Sequence, residues 1–368
     1  MMLPIRNICS MALRCPPELL LRNAVRHLTV PKAPRFSTTA GRSSFKAAMC
    51  TELGKPLSVQ TLKSEPLEPG LVRVDVHAAA VNFGDILVVK GQYQERPPLP
   101  FIPGNELAGM VTEAGPSTSF KLGDRVVGVT GTQGAFTQQA DCKDQLLWKI
   151  PDGISYSQAA ATIVSYATAW MALKRRVDVR EGETVLVTAA AGAVGLASVD
   201  LAANVFKCKV IGACGSEDKC NLVKSKGAVA AINYNKESMR DRVKEITGGK
   251  GADIIVENVG GKAFAECLRC LAFEGRILVI GFAGGEIQKI PANILLVKSC
   301  SAVGVYWGSY AIRLPEAYQE SVNSVLQLLG ERKINPHYSK EFPLEQVNEA
   351  IQYVLDRKST GKVILHPR

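Results

Sequence analysis

Apolar and polar residues follow two different rhythms along this chain. Between about 47 and 150 the apolar residues come in short runs broken by glycine and proline. Examples are Leu71-Val72-Arg73-Val74-Asp75-Val76 and Asp124-Arg125-Val126-Val127-Gly128-Val129. Alternation with frequent turn residues predicts a β-rich, barrel-like region. Pro97, Pro98, Pro100 and Pro103 fall together and mark a structured loop rather than a linker. From about 155 the rhythm changes. Residues 157–173 are alanine-rich and helical in pattern. Apolar runs at 184–188, 209–214, 230–234, 253–257 and 276–281 then alternate with helix-length stretches such as 194–206 and 219–226. Apolar strands alternating with helices predict a parallel, doubly wound sheet, so the fold class is α/β. The tail reads as a helix over 315–330, a loop, a helix over 344–357 and a strand over 362–365. No apolar run approaches the roughly 18–20 residues of a membrane helix, so membrane insertion is not expected.

The composition fits a packed globular protein of 368 residues, with 46% hydrophobic and 21% charged side chains. The formal charge of +10 invites a nucleic-acid or membrane-surface reading until it is located. Residues 1–46 hold eight basic side chains and one acid, Glu18, which leaves only +3 on the remaining 322 residues. The leader is arginine-rich, nearly free of acids, and ends in Ser37, Thr38, Thr39, Ser43 and Ser44. That composition predicts a disordered mitochondrial transit peptide over 1–45, cut within about 35–46, and a place in the matrix. The alternative is a disordered basic arm. A near-neutral remainder argues against strong electrostatic binding of nucleic acid.

Ten cysteines show no disulfide framework, and none lies between Cys50 and Cys142. Cys267 and Cys270 form a C-x-x-C on a helical pattern with no second pair nearby. The four histidines, His27, His77, His337 and His366, sit near no evident ligand set. No metal site is expected.

The run Val185-Leu186-Val187-Thr188 leads into Ala189-Ala190-Ala191-Gly192-Ala193-Val194-Gly195, and a helical stretch follows. This is a dinucleotide fingerprint with alanine in place of its first glycine. Gly192 would let the backbone approach a pyrophosphate, Gly195 would let helix and strand pack closely, and the helix start offers free N–H groups. An NAD site would end the next strand in Asp or Glu. Here it ends in Ala213-Cys214-Gly215, followed by Ser216, Glu217, Asp218 and Lys219. A hydroxyl and an ammonium after a neutral strand end suit a 2′-phosphate, which favours NADPH. Glu217 and Asp218 weigh the other way unless they only cap the next helix. Tyr234, after the third strand, could flank the same phosphate.

Several motifs then converge: Ala79-Ala80-Val81-Asn82-Phe83-Gly84-Asp85, Lys90-Gly91-Gln92-Tyr93, and Pro100 through Gly109 with Gly104-Asn105-Glu106 inside it. Gly123-Asp124-Arg125-Val126, Ala167-Thr168-Ala169, the Gly192/Gly195 turn, and Gly251-Ala252-Asp253 through Asn258-Val259-Gly260-Gly261 follow in order. With them the chain over 47–368 resembles the medium-chain dehydrogenase/reductase superfamily, in its zinc-free quinone oxidoreductase branch. The resemblance implies a GroES-like β-rich catalytic domain over 46–165, a Rossmann NADPH-binding domain over 166–304, and a return to the catalytic domain over 305–368. It also implies a cleft between them for NADPH and a homodimer. Zinc-dependent relatives carry Gly-His-Glu where this chain has Gly104-Asn105-Glu106. The cofactor contacts it implies are Thr168, Gly192, Ala193, Val194, Gly195, Ser216, Lys219, Tyr234, Gly281 and Phe282.

Asn82 and Asp85 match family positions lining the nicotinamide end, and Tyr93 matches an aromatic hydroxyl at the pocket mouth. Read as local structure alone, Asn82 and Asp85 would be loop caps and Tyr93 a surface turn aromatic. Tyr306 and Trp307 could form the opposite wall or pack as a hinge. Without a metal, the chemistry expected is hydride transfer to an acceptor that is already electrophilic, a quinone or an activated enone. The sequence carries no Gly-x-Ser-x-Gly elbow, Walker loop or His-Glu-x-x-His. Two alternatives stand beside this reading. One is a 2-enoyl thioester reductase, which needs a basic groove such as Lys174-Arg175-Arg176. The other is an NADPH-binding protein with little catalysis, contacting RNA.

Overall fold

The structure is a computed structural model that describes residues 44–131 and 133–368. The expected leader lies outside the described residues up to 43. Ser44 and Phe45, which the sequence reading assigned to it, are the first residues of a strand.

That strand, β1 (Ser44–Met49), pairs antiparallel with β2 (Ser58–Lys63). The main β-rich sheet has seven strands. It is built from β3 (Leu71–Val81), β4 (Glu106–Ala114), β5 (Arg125–Val129), β6 (Gln139–Lys143) and β7 (Leu147–Lys149), joined by two strands from the tail. Strand β3 is its hub, pairing with β4, β6 and the final strand of the chain. The pairing of β3 with β4 shifts register between Val76 and Ala78. One extra residue in a strand exchanges its two faces. Val72, Val74 and Val76 accordingly face one core, which beyond the shift receives Ala79 and Val81 instead. Ala78 and Ala80 then face the opposite core. Helix α1 (Phe83–Val89) leaves directly from the end of β3 and buries Ile86, Val88 and Val89 against the first core.

Helix α2 (Ile163–Trp170) continues through a π-helical turn, Met171–Arg176, and leads into the second sheet. Six parallel strands form it: β8 (Thr184–Val187), β9 (Lys209–Cys214), β10 (Ala230–Asn233), β11 (Ala252–Glu257), β12 (Leu271–Val279) and β13 (Ser301–Gly304). Their spatial order is β10-β9-β8-β11-β12-β13. The order reverses between β8 and β11, and ligands of open parallel sheets bind beyond the carboxyl ends of strands at such a reversal. Val185, Leu186, Val187, Ile254, Ile255 and Val256 are all fully buried, because helices cover both faces. Those helices include α3 (Ala193–Asp200), α4 (Glu217–Ser225), α5 (Met239–Ile246), α6 (Gly261–Cys270) and α7 (Ala292–Lys298).

Helix α8 (Pro315–Gly330) buries Tyr318, Val322 and Val325 in the core that also holds α2 and residues of both sheets. Strand β14 (Tyr338–Pro343), helix α9 (Val347–Leu355) and strand β15 (Lys362–His366) bring the chain back to the first sheet. The helix read over 157–173 is broken at 161–162, with Tyr156–Ala160 as a separate short helix. Strand β12 begins at Leu271, five residues ahead of the apolar run at 276–281.

Candidate active site

The turn after β8 is shaped by close backbone contact. A Cβ added at Gly195 would lie 2.2 Å from the Ala189 carbonyl oxygen and 2.8 Å from Ala190 Cα. Helix α3 therefore packs directly on the turn, as the fingerprint requires. Gly192, at the N-cap, meets only the Ala189 oxygen at 3.2 Å. Gly192, Ala193 and Val194 are partly open, and no side chain caps the helix start. The first N–H groups of α3 are thus free to hold an anion. Ala189, which replaces the first glycine, takes φ 45° in the left-handed region. The turn keeps its shape at the expense of some strain there.

At the far end of the site, Ser216 caps α4 by accepting the Lys219 N–H. Glu217 turns away, bonding the Asn233 side chain at 2.8 Å and pairing with Lys236 at 3.1 Å. Those bonds hold its carboxyl below the usual range. The Tyr234 hydroxyl lies over Gly215, where an added Cβ would meet it at 2.8 Å. Lys219 Nζ donates to the Arg357 carbonyl oxygen at 2.6 Å. Arg357 follows α9, and its positive charge acts on the Tyr234 hydroxyl, whose pKa burial raises. Ser216, Lys219 and Tyr234 thus all stand around Gly215 and the start of α4. Arg357 is an addition that sequence spacing could not supply, since it lies 138 residues from Lys219.

The floor between the two sides of the crevice is held by Thr188 and Asn258. The Asn258 backbone N–H donates to Thr188 Oγ1 at 2.9 Å, and its side-chain amide donates to the Thr188 carbonyl at 2.8 Å. Glu257, fully buried, accepts the N–H groups of Val259 and Gly260. Burial raises its pKa above the usual carboxylate value. These residues join the carboxyl ends of β8 and β11, where the strand order reverses.

Asn82 sits at the N-cap of α1, and Asp85 accepts its backbone N–H at 2.8 Å. Asp85 does cap the helix, and at 3% exposure it lies behind Asn82 rather than open to the crevice. Burial raises its carboxyl to a pKa of about 7. Asn82 itself is half-buried. Behind it lies a buried ion pair: Lys362 Nζ is 2.6 Å from Glu106 Oε2 and 2.5 Å from Asn82 Oδ1. Lys362 and Glu106 are 2% and 0% exposed. Glu106 Oε1 accepts the N–H of Val164 in α2 at 2.9 Å, so the pair touches both halves of the molecule. Lys362 stands at the start of the distant strand β15, where the sequence carries no local signal of this pairing.

Tyr93 is half-buried, packs against Gly84 and lies beside Tyr306. Tyr306 in turn donates to Glu95 Oε1 at 3.2 Å. Burial raises the pKa of both phenols, so both stay protonated. Tyr93 and Tyr306 thus meet, while Trp307 is buried, stacking on Tyr318 and donating to Ser321. Thr168 is a partly open residue of α2, and Gly281 and Phe282 follow β12, with the Phe282 ring beside Gly260.

Lys174 pairs with Asp178 at 3.1 Å and Arg176 donates to the Gly304 carbonyl, so this basic run is engaged in local structure. Folding assembles a second basic group, Arg240, Lys244, Arg269 and Lys298, around a surface groove. Lys244, Arg269 and Lys298 stand in the last turns of α5, α6 and α7, where cations offset the negative helix ends.

Residues 68–152 match the "Alcohol dehydrogenase GroES-like domain" family, and residues 193–327 match the "Zinc-binding dehydrogenase" family. The residues here do not fit a catalytic zinc. Among the described residues no three His, Cys, Asp or Glu side chains converge, and the Glu106 carboxylate is taken by Lys362. The chain is 49% identical over 363 residues to the quinone oxidoreductase-like protein 2 homolog of Nematostella vectensis, covering 97% of this chain and 99% of that one. Among solved structures, the quinone oxidoreductase of Pseudomonas syringae pv. Tomato DC3000 superposes with TM-score 0.81 at 30% identity, over 88% of this chain and all of that one. The Escherichia coli quinone oxidoreductase complexed with NADPH superposes with TM-score 0.79 at 28% identity, again over 88% and 100%. On its phosphate turn, its two-sheet architecture and these likenesses, the chain belongs to the quinone oxidoreductase branch of the medium-chain dehydrogenase/reductase superfamily.

Proposed function

We propose that this protein is an NADPH-dependent reductase of quinones or activated enones that works without a metal. The observation that carries the reading is the adenosine end of the site, where Ser216, Lys219 and Tyr234 stand at a neutral strand end, the Arg357 backbone holds Lys219, and Glu217 is tied elsewhere. Such a donor group suits a 2′-phosphate better than a free ribose diol. Gly192, Ala193 and Val194 would hold the pyrophosphate at the start of α3, with Thr168, Gly281 and Phe282 along the crevice. NADPH supplies the hydride when bound.

The chain's own residues bind and orient. Asn82 presents its carboxamide at the nicotinamide end, held from behind by Lys362. Tyr93 offers an aromatic face and a hydroxyl to a planar acceptor. The Tyr306 hydroxyl donates to Glu95, which ties the segment after β13 to the loop that carries Tyr93. With the Glu106 carboxylate committed to Lys362, the acceptor must be electrophilic without help from a metal.

The test is NADPH oxidation by the full-length chain against quinones, enones and enoyl-CoAs. Turnover of quinones or enones supports the reading. Turnover of enoyl-CoAs alone would assign a thioester reductase instead. NADPH binding with no turnover, or with RNA binding, would overturn the enzyme reading.

Two further proposals concern its setting. We infer a homodimer formed through β13, whose outer edge has no strand partner among the described residues. Leu296 and Val297 beside it are 80% and 76% exposed, a surface a second copy would cover. Light scattering that finds a monomer, unchanged by Ala302→Pro, would refute this. We also propose import into the mitochondrial matrix through the basic leader. Deleting residues 1–43 should leave the protein in the cytosol, and continued import would refute it.

A further inference from the structure

Lys362 is the most thoroughly buried cation among the described residues, and its contacts span the molecule. Its ammonium touches Glu106 and Asn82, 256 and 280 residues away in sequence. Burying an ion pair rarely stabilises a protein more than apolar residues of similar volume would. The pair therefore calls for a role beyond stability. A lysine ammonium only donates hydrogen bonds, so the Asn82 atom facing it must be the carboxamide oxygen. Lys362 thus fixes which way the Asn82 amide points, and Nδ2 has only long contacts, 3.4 Å, to the Ala80 carbonyl and Glu106.

The residues just before Lys362 reach the cofactor side. The Gly361 N–H donates to the Ala191 carbonyl of the phosphate turn at 2.8 Å, and Gly361 bridges Gly192. Gly361 takes φ 59°, and an added Cβ would lie 2.1 Å from the His337 carbonyl oxygen, so this approach is open only to glycine. A few residues further back, the Arg357 carbonyl holds Lys219. One short stretch of tail therefore touches the adenosine end, the phosphate turn and Asn82.

We propose that Lys362 is a positioning residue for hydride transfer: it holds the Asn82 carboxamide in a single orientation and, through Gly361, sets that group against the phosphate turn. This rests on the reading that Asn82 faces the nicotinamide. Lys362 does not touch the reacting atoms and acts through Asn82. The Glu106 carboxylate keeps the ammonium in place.

The test uses the full-length chain with NADPH and a quinone. Replacing Lys362→Met together with Glu106→Gln removes both charges at similar volume, so neither is left unpaired. The double variant is expected to keep its melting temperature and its NADPH Kd within about twofold, while kcat falls at least tenfold. Asn82→Ala added to it should cause little further loss, because residues acting as one unit are non-additive. Lys362→Gln is the second variant, for the case in which the double variant fails to fold. Its amide still partners Glu106 but can present oxygen to Asn82 and release the constraint, so kcat should fall there too with NADPH affinity unchanged. Unchanged kcat in either folded variant, or losses at Lys362 and Asn82 that multiply, would overturn the proposal. Wild-type protein that binds NADPH but turns over no acceptor would instead overturn the reductase reading beneath it.

Discussion

Replacing Gly195 by alanine tests the phosphate turn most sharply. The new methyl group would lie 2.2 Å from the Ala189 oxygen and within 2.9 Å of two Ala190 backbone atoms. An ordinary contact begins near 3.4 Å, so helix α3 and the turn must part by about 1 Å. All three atoms are backbone, and no side chain can rotate out of the way. Overpacking of this kind costs about 1–3 kcal/mol. At roughly 2 °C per kcal/mol the melting temperature should fall by about 2–6 °C. The displaced N–H groups would also weaken NADPH, and a loss of about 2 kcal/mol is roughly 30-fold in Kd. Gly192→Ala is the control. It has φ −77° and one neighbour at 3.2 Å, so its fold should survive nearly unchanged. Its methyl group would still stand where the pyrophosphate approaches. Fluorescence titration with NADPH and thermal unfolding of both variants give the comparison. A Gly195→Ala protein with native melting temperature and native NADPH affinity would refute the reasoning. So would a Gly192→Ala protein that is the less stable of the two.

Three other outcomes follow from the same geometry. Lys219→Ala and Arg357→Ala should each weaken NADPH by about tenfold, the order of one lost charge-assisted bond, and NADH far less; equal losses in isothermal titration would contradict the 2′-phosphate assignment. Asp85, with a pKa raised to about 7, keeps its proton in the folded chain where the unfolded chain has lost it. Its contribution to stability is therefore full below the unfolded value near 4 and disappears as pH rises toward 7. Asp85→Asn should gain stability over wild type as pH rises from 4 to 8, and a pH-independent difference in melting temperature would contradict this. Ala189→Gly should relieve the left-handed strain at φ 45° and raise stability by less than about 1 kcal/mol, whereas a lowered melting temperature would show that Ala189 is unstrained.

Much of the fold was legible in the order of residues, because local physics dictates it. Strands buried on both faces must be apolar throughout, and 209–214 and 315–330 coincide with β9 and α8 end to end. The phosphate turn was legible because only small residues tolerate backbone contact at Gly195. Glu217 was ambiguous in sequence, since its choice of Asn233 and Lys236 depends on where β10 ends. The register shift after Val76 was not legible either: alternation gives way there to the apolar run Ala78-Ala79-Ala80-Val81, which does not say which residue faces which core. Arg357 and Lys362 read as an exposed helix end and an ordinary strand residue. The sequence by itself determined which segments are strands and helices, where a dinucleotide turn forms, and that a catalytic His is missing beside Glu106. Only the tertiary structure decided which cation answers that buried carboxylate. A charge can be buried only where distant strands deliver its partner, and no local pattern records that meeting.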